Sequence, residues 1–173
     1  MSEGHTERSM LDLLHRRYGT IPRNFPPRYI LADHVRQDAN WANRTADCIV
    51  QDTWTGCSEK RFSNLHLAYP IHGFEVKTSR SDWLTELRDP EKAQAFIPFV
   101  HYWWLVVPDK SLVKLDELPN GWGLLAIRGR GLGQIVAPSL NKSIQTMPHG
   151  MRVGLMRSVI KTQQPTHKKG IEQ

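Results

Sequence analysis

The sequence predicts a mixed α/β domain, a central mixed β-sheet flanked by helices. Three observations carry that expectation. Runs of β-branched and aromatic residues bounded by Pro, Gly and Asn recur at 71–77, 101–107 and 122–127. Between the first two runs stand two N-cap signals with apolar residues behind them, so helices connect those strands. The chain itself opens on a capped amphipathic segment. A helix, strands, two short helices, more strands and a closing helix is the order of a sheet with helices packed on it.

Local chemistry justifies each element. Thr6 precedes an apolar stripe of Met10, Leu11 and Leu14, as an N-cap precedes an amphipathic helix, and Gly19 stops that helix after Tyr18. Glu7 shares the face of this stripe by spacing. It reads either as a first-turn carboxylate favoured by the helix dipole or as an inward-pointing acid near a metal. Pro22, Pro26 and Pro27 exclude a helix and mark a loop. Strands are expected at 29–32 and 44–50, with Asp47 near the start of the second. Residues 51–70 read as a long loop or insertion. After strand 71–77, Ser81 caps a helix whose apolar side is Trp83, Leu84 and Leu87. Asp89 and Pro90 repeat the signal, opening a second helix to about residue 99.

The unbroken apolar run 101–107, ended by Pro108, is expected of a strand buried on both faces. Asn120-Gly121 turns into strand 122–127, and Gly129, Gly131 and Gly133 space a hairpin into 134–137. Those glycines are no dinucleotide fingerprint, because no helix start follows them. Residues 147–161 read as a closing helix, and 162–173 as a polar tail expected to be disordered. Residues 1–161 then make a single domain. A chain of 173 residues, 39% hydrophobic and 23% charged, is long enough and apolar enough to bury its own core.

Charge narrows the partners. The 23 Lys and Arg outnumber the 17 Asp and Glu, for a net charge of +6, and the pI is near 9.5. That balance favours a polyanion. Two cysteines, Cys48 and Cys57, make no disulfide framework and no iron–sulfur set. With His66 and His72 they form a zinc site only on paper, since the gaps match no ligand pattern. The polar N-terminus has no apolar h-region and no run reaches transmembrane length. A soluble, cytoplasmic protein with no membrane partner is expected.

The chemistry converges on Glu75-Val76-Lys77. In a strand Glu75 and Lys77 project to one side while Phe74 and Val76 point to the other. If strand 44–50 is a neighbour, Asp47 supplies a second carboxylate. Two hard oxygen ligands with waters suit Mg²⁺ or Mn²⁺, and Lys77 can orient a water or stabilise developing negative charge. The same triplet also fits a solvent-facing charge pair. Arg80 fits either a phosphate contact at a helix start or an ion pair with Asp82 or Glu86. Lys92 and Gln94 read as helix surface. Among six tryptophans, Trp83, Trp103, Trp104 and Trp122 fall in packing patterns, which leaves Trp41 and Trp54 as candidates for base stacking.

Taken together, Arg44-Thr45-Ala46-Asp47, Gly73-Phe74-Glu75-Val76-Lys77-Thr78-Ser79-Arg80-Ser81-Asp82-Trp83-Leu84, Pro90-Glu91-Lys92-Ala93 and Trp103-Trp104-Leu105-Val106-Val107-Pro108 resemble the PD-(D/E)XK nuclease superfamily. Within it the chain looks most like small proteins related to the MmcB DNA-repair family, phage and actinobacterial versions included. The resemblance covers residues 44–127 and, more loosely, the first helix. It implies a restriction-endonuclease-like core and a Mg²⁺- or Mn²⁺-dependent nuclease acting on DNA in repair, recombination or phage DNA processing. Asp47 and Glu75 would be the metal ligands with Glu7 assisting, Lys77 the catalytic lysine, and Arg44, Ser79, Arg80, Lys92 and Gln94 the contacts to DNA. Ala46 stands where the motif's name has proline, and the segment between Asp47 and Glu75 is long. A non-cleaving DNA-binding module of the same fold is the alternative, and a homodimer is compatible with either.

Overall fold

The computed structural model describes residues 4–19, 26–38, 44–54, 69–89 and 91–163. Pro22, Trp41, Cys57, His66, Pro90 and most of the 51–70 connection lie outside the described residues. The elements in order are α1 (Glu7–Tyr18), β1 (Tyr29–Arg36), β2 (Thr45–Asp52), β3 (Ile71–Val76), α2 (Arg80–Arg88), α3 (Glu91–Gln94), β4 (Tyr102–Val107), β5 (Gly123–Arg128), β6 (Gly131–Val136) and α4 (His149–Gln163). The six strands form one sheet in sequence order. Its centre is parallel, β3 with β4 and β4 with β5, and every other pair is antiparallel. The fold is therefore α/β with a mixed sheet flanked by helices. Among the described residues no helix is long and apolar enough to cross a membrane.

Alternation along the strands builds two cores. Trp104 and Val106 of β4 join Phe74 and Val76 of β3 and Cys48 and Val50 of β2 under Met10, Leu11 and Leu14 of α1. Trp103, Leu105 and Val107 face the opposite side, where Trp83, Phe96 and Met151 cover them. A strand apolar at every position is what two covered faces require. Gly73 matters on the second face: a Cβ there would stand 2.4 Å from the Trp103 ring, so only glycine lets the indole lie across β3.

Several boundaries differ from the sequence expectation. β1 continues four residues past Ala32, pairing with β2 as far as Arg36 opposite Thr45, and within it His34 takes a left-handed backbone, φ 52°. Ala32 and Val35, three apart, consequently reach the same core. Histidine is among the residues that tolerate this conformation best. Helix α2 is capped by Ser79, whose hydroxyl accepts the Asp82 N–H at 3.1 Å, not by Ser81. The second expected helix breaks into α3 and a 3₁₀ turn, Ile97–Phe99. Pro98 lacks an N–H and crowds the residue before it, which disfavours a continuous helix. At the C-terminus, α4 takes in Thr162 and Gln163, and the Thr162 hydroxyl accepts the Asp33 N–H at 2.8 Å. The rest of the expected tail, residues 164–173, lies outside the described residues.

Candidate active site and metal centre

Where β2 and β3 part, the sheet leaves room for charge. Their pairing runs from Gln51 opposite Ile71 to Cys48 opposite Phe74 and goes no further. The Val76 N–H is accepted instead by Asp47 Oδ2, at 2.7 Å. A carboxylate thus replaces a ladder carbonyl, in a charge-assisted bond. Phe74 and Val76 are committed to the α1 core, so Glu75 points the other way, toward α2 and α3, where it is 0% exposed.

Two ammonium groups meet it there. Lys77 Nζ stands 2.8 Å from Glu75 Oε1 and 2.8 Å from Glu86 Oε2 of α2. Lys92 Nζ of α3 stands 2.6 Å from the same Glu75 Oε1 and 3.5 Å from Asp47 Oδ1. One ammonium therefore bridges the two carboxylates contributed by β2 and β3. Among the described residues, Glu75 Oε2 and Glu86 Oε1 are buried without a hydrogen-bond partner.

Acidities follow from this crowding. Burial, and after it the Asp47 charge, pushes Glu75 up to about 7 against the pull of Lys77 and Lys92. Burial acts to lower Lys77, but the charges and hydrogen bonds of Glu75 and Glu86 outweigh it, so its pKa is raised and it is an ammonium. Lys92 is raised in the same way by Asp47 and Glu75. Three carboxylates against two ammonium groups leave one negative charge uncompensated if all are ionised. Keeping such a charge buried is costly, and a retained proton or a further cation removes the cost.

The donor set fits a hard divalent cation. Asp47 and Glu75 would hold it, their carboxylate oxygens suit Mg²⁺ or Mn²⁺, and Glu75 Oε2 is a buried oxygen with no hydrogen-bond partner among the described residues. Among the described residues no three His, Cys, Asp or Glu side chains form a ready metal-binding group, so waters and substrate oxygens would complete the shell.

The structure brings Asp47, Glu75, Lys77 and Lys92 together and leaves the other expected residues apart. Glu7 is exposed at the start of α1 and lies 3.6 Å from His34 Nδ1. It faces solvent although it shares the helical phase of Met10 and Leu14. Arg80 binds neither Asp82 nor Glu86. It donates to the Leu112 carbonyl at 3.0 Å and to Glu117 Oε1 at 2.6 Å. Arg44 pairs with Glu91. Ser79 is occupied as the α2 cap, and Gln94 is exposed. Trp83, Trp103, Trp104 and Trp122 are all buried, while Trp54 is partly exposed. Of the paper zinc set, Cys48 is buried in the α1 core and His72 accepts the Trp104 indole N–H at 3.1 Å.

Glu86 is the residue that sequence reasoning missed. It lies three positions after Trp83, on the buried side of α2. A carboxylate in phase with a buried tryptophan was the available signal.

No family model matches the chain, and no curated protein matches it. A solved structure, of a protein of unknown function from Silicibacter pomeroyi, is similar over 78% of this chain and 74% of that one, with 14% identity and a TM-score of 0.49.

Proposed function

We propose that the protein is a metal-dependent deoxyribonuclease with a restriction-endonuclease-like core, of the PD-(D/E)XK kind. The observation that carries this reading is the single Lys92 ammonium bridging Asp47 and Glu75 while Lys77 holds the same Glu75 oxygen. Carboxylates from two neighbouring strands share one cationic position, and a lysine stands beside it. A divalent cation, when bound, supplies a stabilising charge for a phosphate oxygen and lowers the pKa of water. Lys77, held as an ammonium between two glutamates, orients the attacking water and stabilises charge on the phosphate, and it is too basic to serve as the proton acceptor. Glu86 fixes the position of Lys77. Water oxygen attacks phosphorus in line, the opposite P–O ester bond breaks, and the strand ends in one phosphate and one hydroxyl.

Plasmid, single-stranded and branched DNA incubated with Mg²⁺ or Mn²⁺ should be cut, and EDTA should stop the cutting. Glu75→Gln, which keeps the shape and removes the charge, should lower the rate by a factor of about a hundred or more. If none of these substrates is cut under any of these conditions, the enzyme reading fails.

The bridging Lys92 also favours a second reading, a DNA-binding module of the same fold. There the ammonium replaces the metal permanently and the site is structural. Binding of branched DNA in both EDTA and Mn²⁺, with no cleavage and no Mn²⁺ uptake, is its expected result.

A further inference from the structure

The cations expected to hold DNA face carboxylates. Arg44 meets Glu91, Arg80 meets Glu117, and Lys92 meets Glu75 and Asp47. A phosphate would have to compete with each of these acids. Arg36, Arg157 and Lys161 are free of that competition among the described residues. His34 and Arg36 of β1 and Arg157, Ser158 and Lys161 of α4 line a cavity of about 130 Å³, and no carboxylate is among the described residues that line it. Arg36, Arg157 and Lys161 form no ion pair among the described residues, while His34 has Glu7 at 3.6 Å.

The cavity is a consequence of how α4 docks. At Gly154 a Cβ would stand 2.9 Å from the Arg36 carbonyl, so the missing side chain lets the helix approach β1 closely. Ser158 Oγ donates to the His34 carbonyl at 3.4 Å. Arg157 and Lys161, four apart on one side of the helix, are exposed beside that contact. The like charges of Arg157 and Lys161 are thus held beside Arg36 where α4 meets β1. They repel one another there, and an anion relieves the repulsion.

Its position relates the cavity to the acid pair. β1 and β2 pair through Asp33 opposite Cys48 and Val35 opposite Ala46, which sets His34 across from Asp47 on the neighbouring strand. Neighbouring strands lie about 4.8 Å apart, and a DNA strand carries one phosphate per roughly 3.4 Å of axis. We propose that the cleft formed by His34, Arg36, Arg157, Ser158 and Lys161 binds a backbone phosphate of the DNA strand whose neighbouring phosphate lies at Asp47 and Glu75. This rests on the reading that the acid pair acts on DNA. The Arg36 and Arg157 guanidinium groups and the Lys161 ammonium supply donors to phosphate oxygens, and contacts of this kind position a strand without reading its sequence.

The test is fluorescence anisotropy with a fluorescein-labelled 20-base-pair duplex and the matching single strand, in EDTA, over a series of NaCl concentrations. Arg157→Ala with Lys161→Ala changes exposed side chains only and should leave the fold intact, which far-UV circular dichroism checks. The double variant should bind about tenfold or more weakly, with the slope of log K against log salt reduced by roughly 1–2. Arg152→Ala, also exposed on α4 but outside the cleft, should bind nearly as wild type does. Equal binding by the double variant and wild type would overturn the cleft, as would an equal loss in Arg152→Ala. Absence of wild-type binding to either DNA would overturn DNA as its ligand. Cleavage plays no part in this readout. A cleft-dependent affinity in a protein that never cuts would uphold the cleft and sink only the nuclease reading.

Discussion

Glu75 and Glu117 are both glutamates bonded to a cationic side chain, yet their acidities move in opposite directions. Glu117 sits at the surface against Arg80, and that hydrogen bond draws it down to about 2. Glu75 touches two ammonium groups and is nevertheless pushed up to about 7, because burial and Asp47 oppose its charge. Pairing by itself does not set an acidity. What separates the two is solvent and a second acid. The surface pair is electrically complete, whereas the buried cluster still holds partnerless oxygens on Glu75 and Glu86. A site that needs one more positive charge is poised to take a cation, and one that is already neutral is not.

Removing a partner from the buried cluster should break the contrast most severely. Lys77→Met leaves buried Glu86 without its cation and buried Glu75 with Lys92 alone, and should cost about 3–5 kcal/mol of stability. Urea denaturation with an unchanged m-value checks it. A loss near zero would mean that the buried cluster carries no uncompensated charge once Lys77 is gone. In that event the case for a missing cation disappears.

The pH dependence comes next, and its sign follows from the direction of each shift. Glu75 keeps its proton up to about 7 in the folded protein, against an ordinary 4.5. Between those values the folded state binds more protons than the unfolded one, so this residue's contribution makes stability fall as pH rises from 4.5 toward 7. Glu75→Gln should abolish that fall, with chemical denaturation at several pH values as the measurement. Added Mn²⁺ should flatten it too, by binding the ionised form.

Lys92 offers a subtler way to sharpen the comparison. If its ammonium occupies the cation position, Lys92→Ala should tighten Mn²⁺ binding about tenfold, a change of roughly 1.4 kcal/mol, measured by calorimetry. Unchanged or weaker binding would show that Lys92 does not compete. A readout of this sort separates a displaceable counter-ion from a permanent one, which activity assays do not.

How legible these residues were depends on the range of the forces that place them. Glu75 and Lys77 were readable because a two-residue period puts both on one face whatever the rest of the chain does. The two-faced burial of β4 was readable for a similar local reason. Asp47 was visible only as a carboxylate in a strand; its bond to Val76 depends on where β2 and β3 separate, 29 residues apart in sequence. Lys92 looked like helix surface because α3 is a single turn whose direction Pro98 and the core at Ala93 and Phe96 decide. Arg80 found Glu117 across 37 residues, from a 3₁₀ turn that no periodicity announces. Glu7 shares helical phase with the buried stripe, which is a local property, but its exposure beside His34 of β1 depends on tertiary packing.

The smallest effect belongs to the surface pair, and its sign completes the contrast. Arg80→Ala removes the hydrogen bond that holds Glu117 below its ordinary value. A depressed carboxylate stabilises the fold above pH 4.5, and that contribution fades as pH falls toward 2. The variant should therefore differ slightly from wild type at neutral pH and converge with it in acid. Solvent screens the pair, so added salt should shrink even this difference. The Leu112 carbonyl, which loses the same guanidinium, lies at a turn and can turn to water. Should Arg80→Ala instead destabilise as much as Lys77→Met, the two regions would not differ in kind. Burial would then have been the wrong variable for locating the functional cluster.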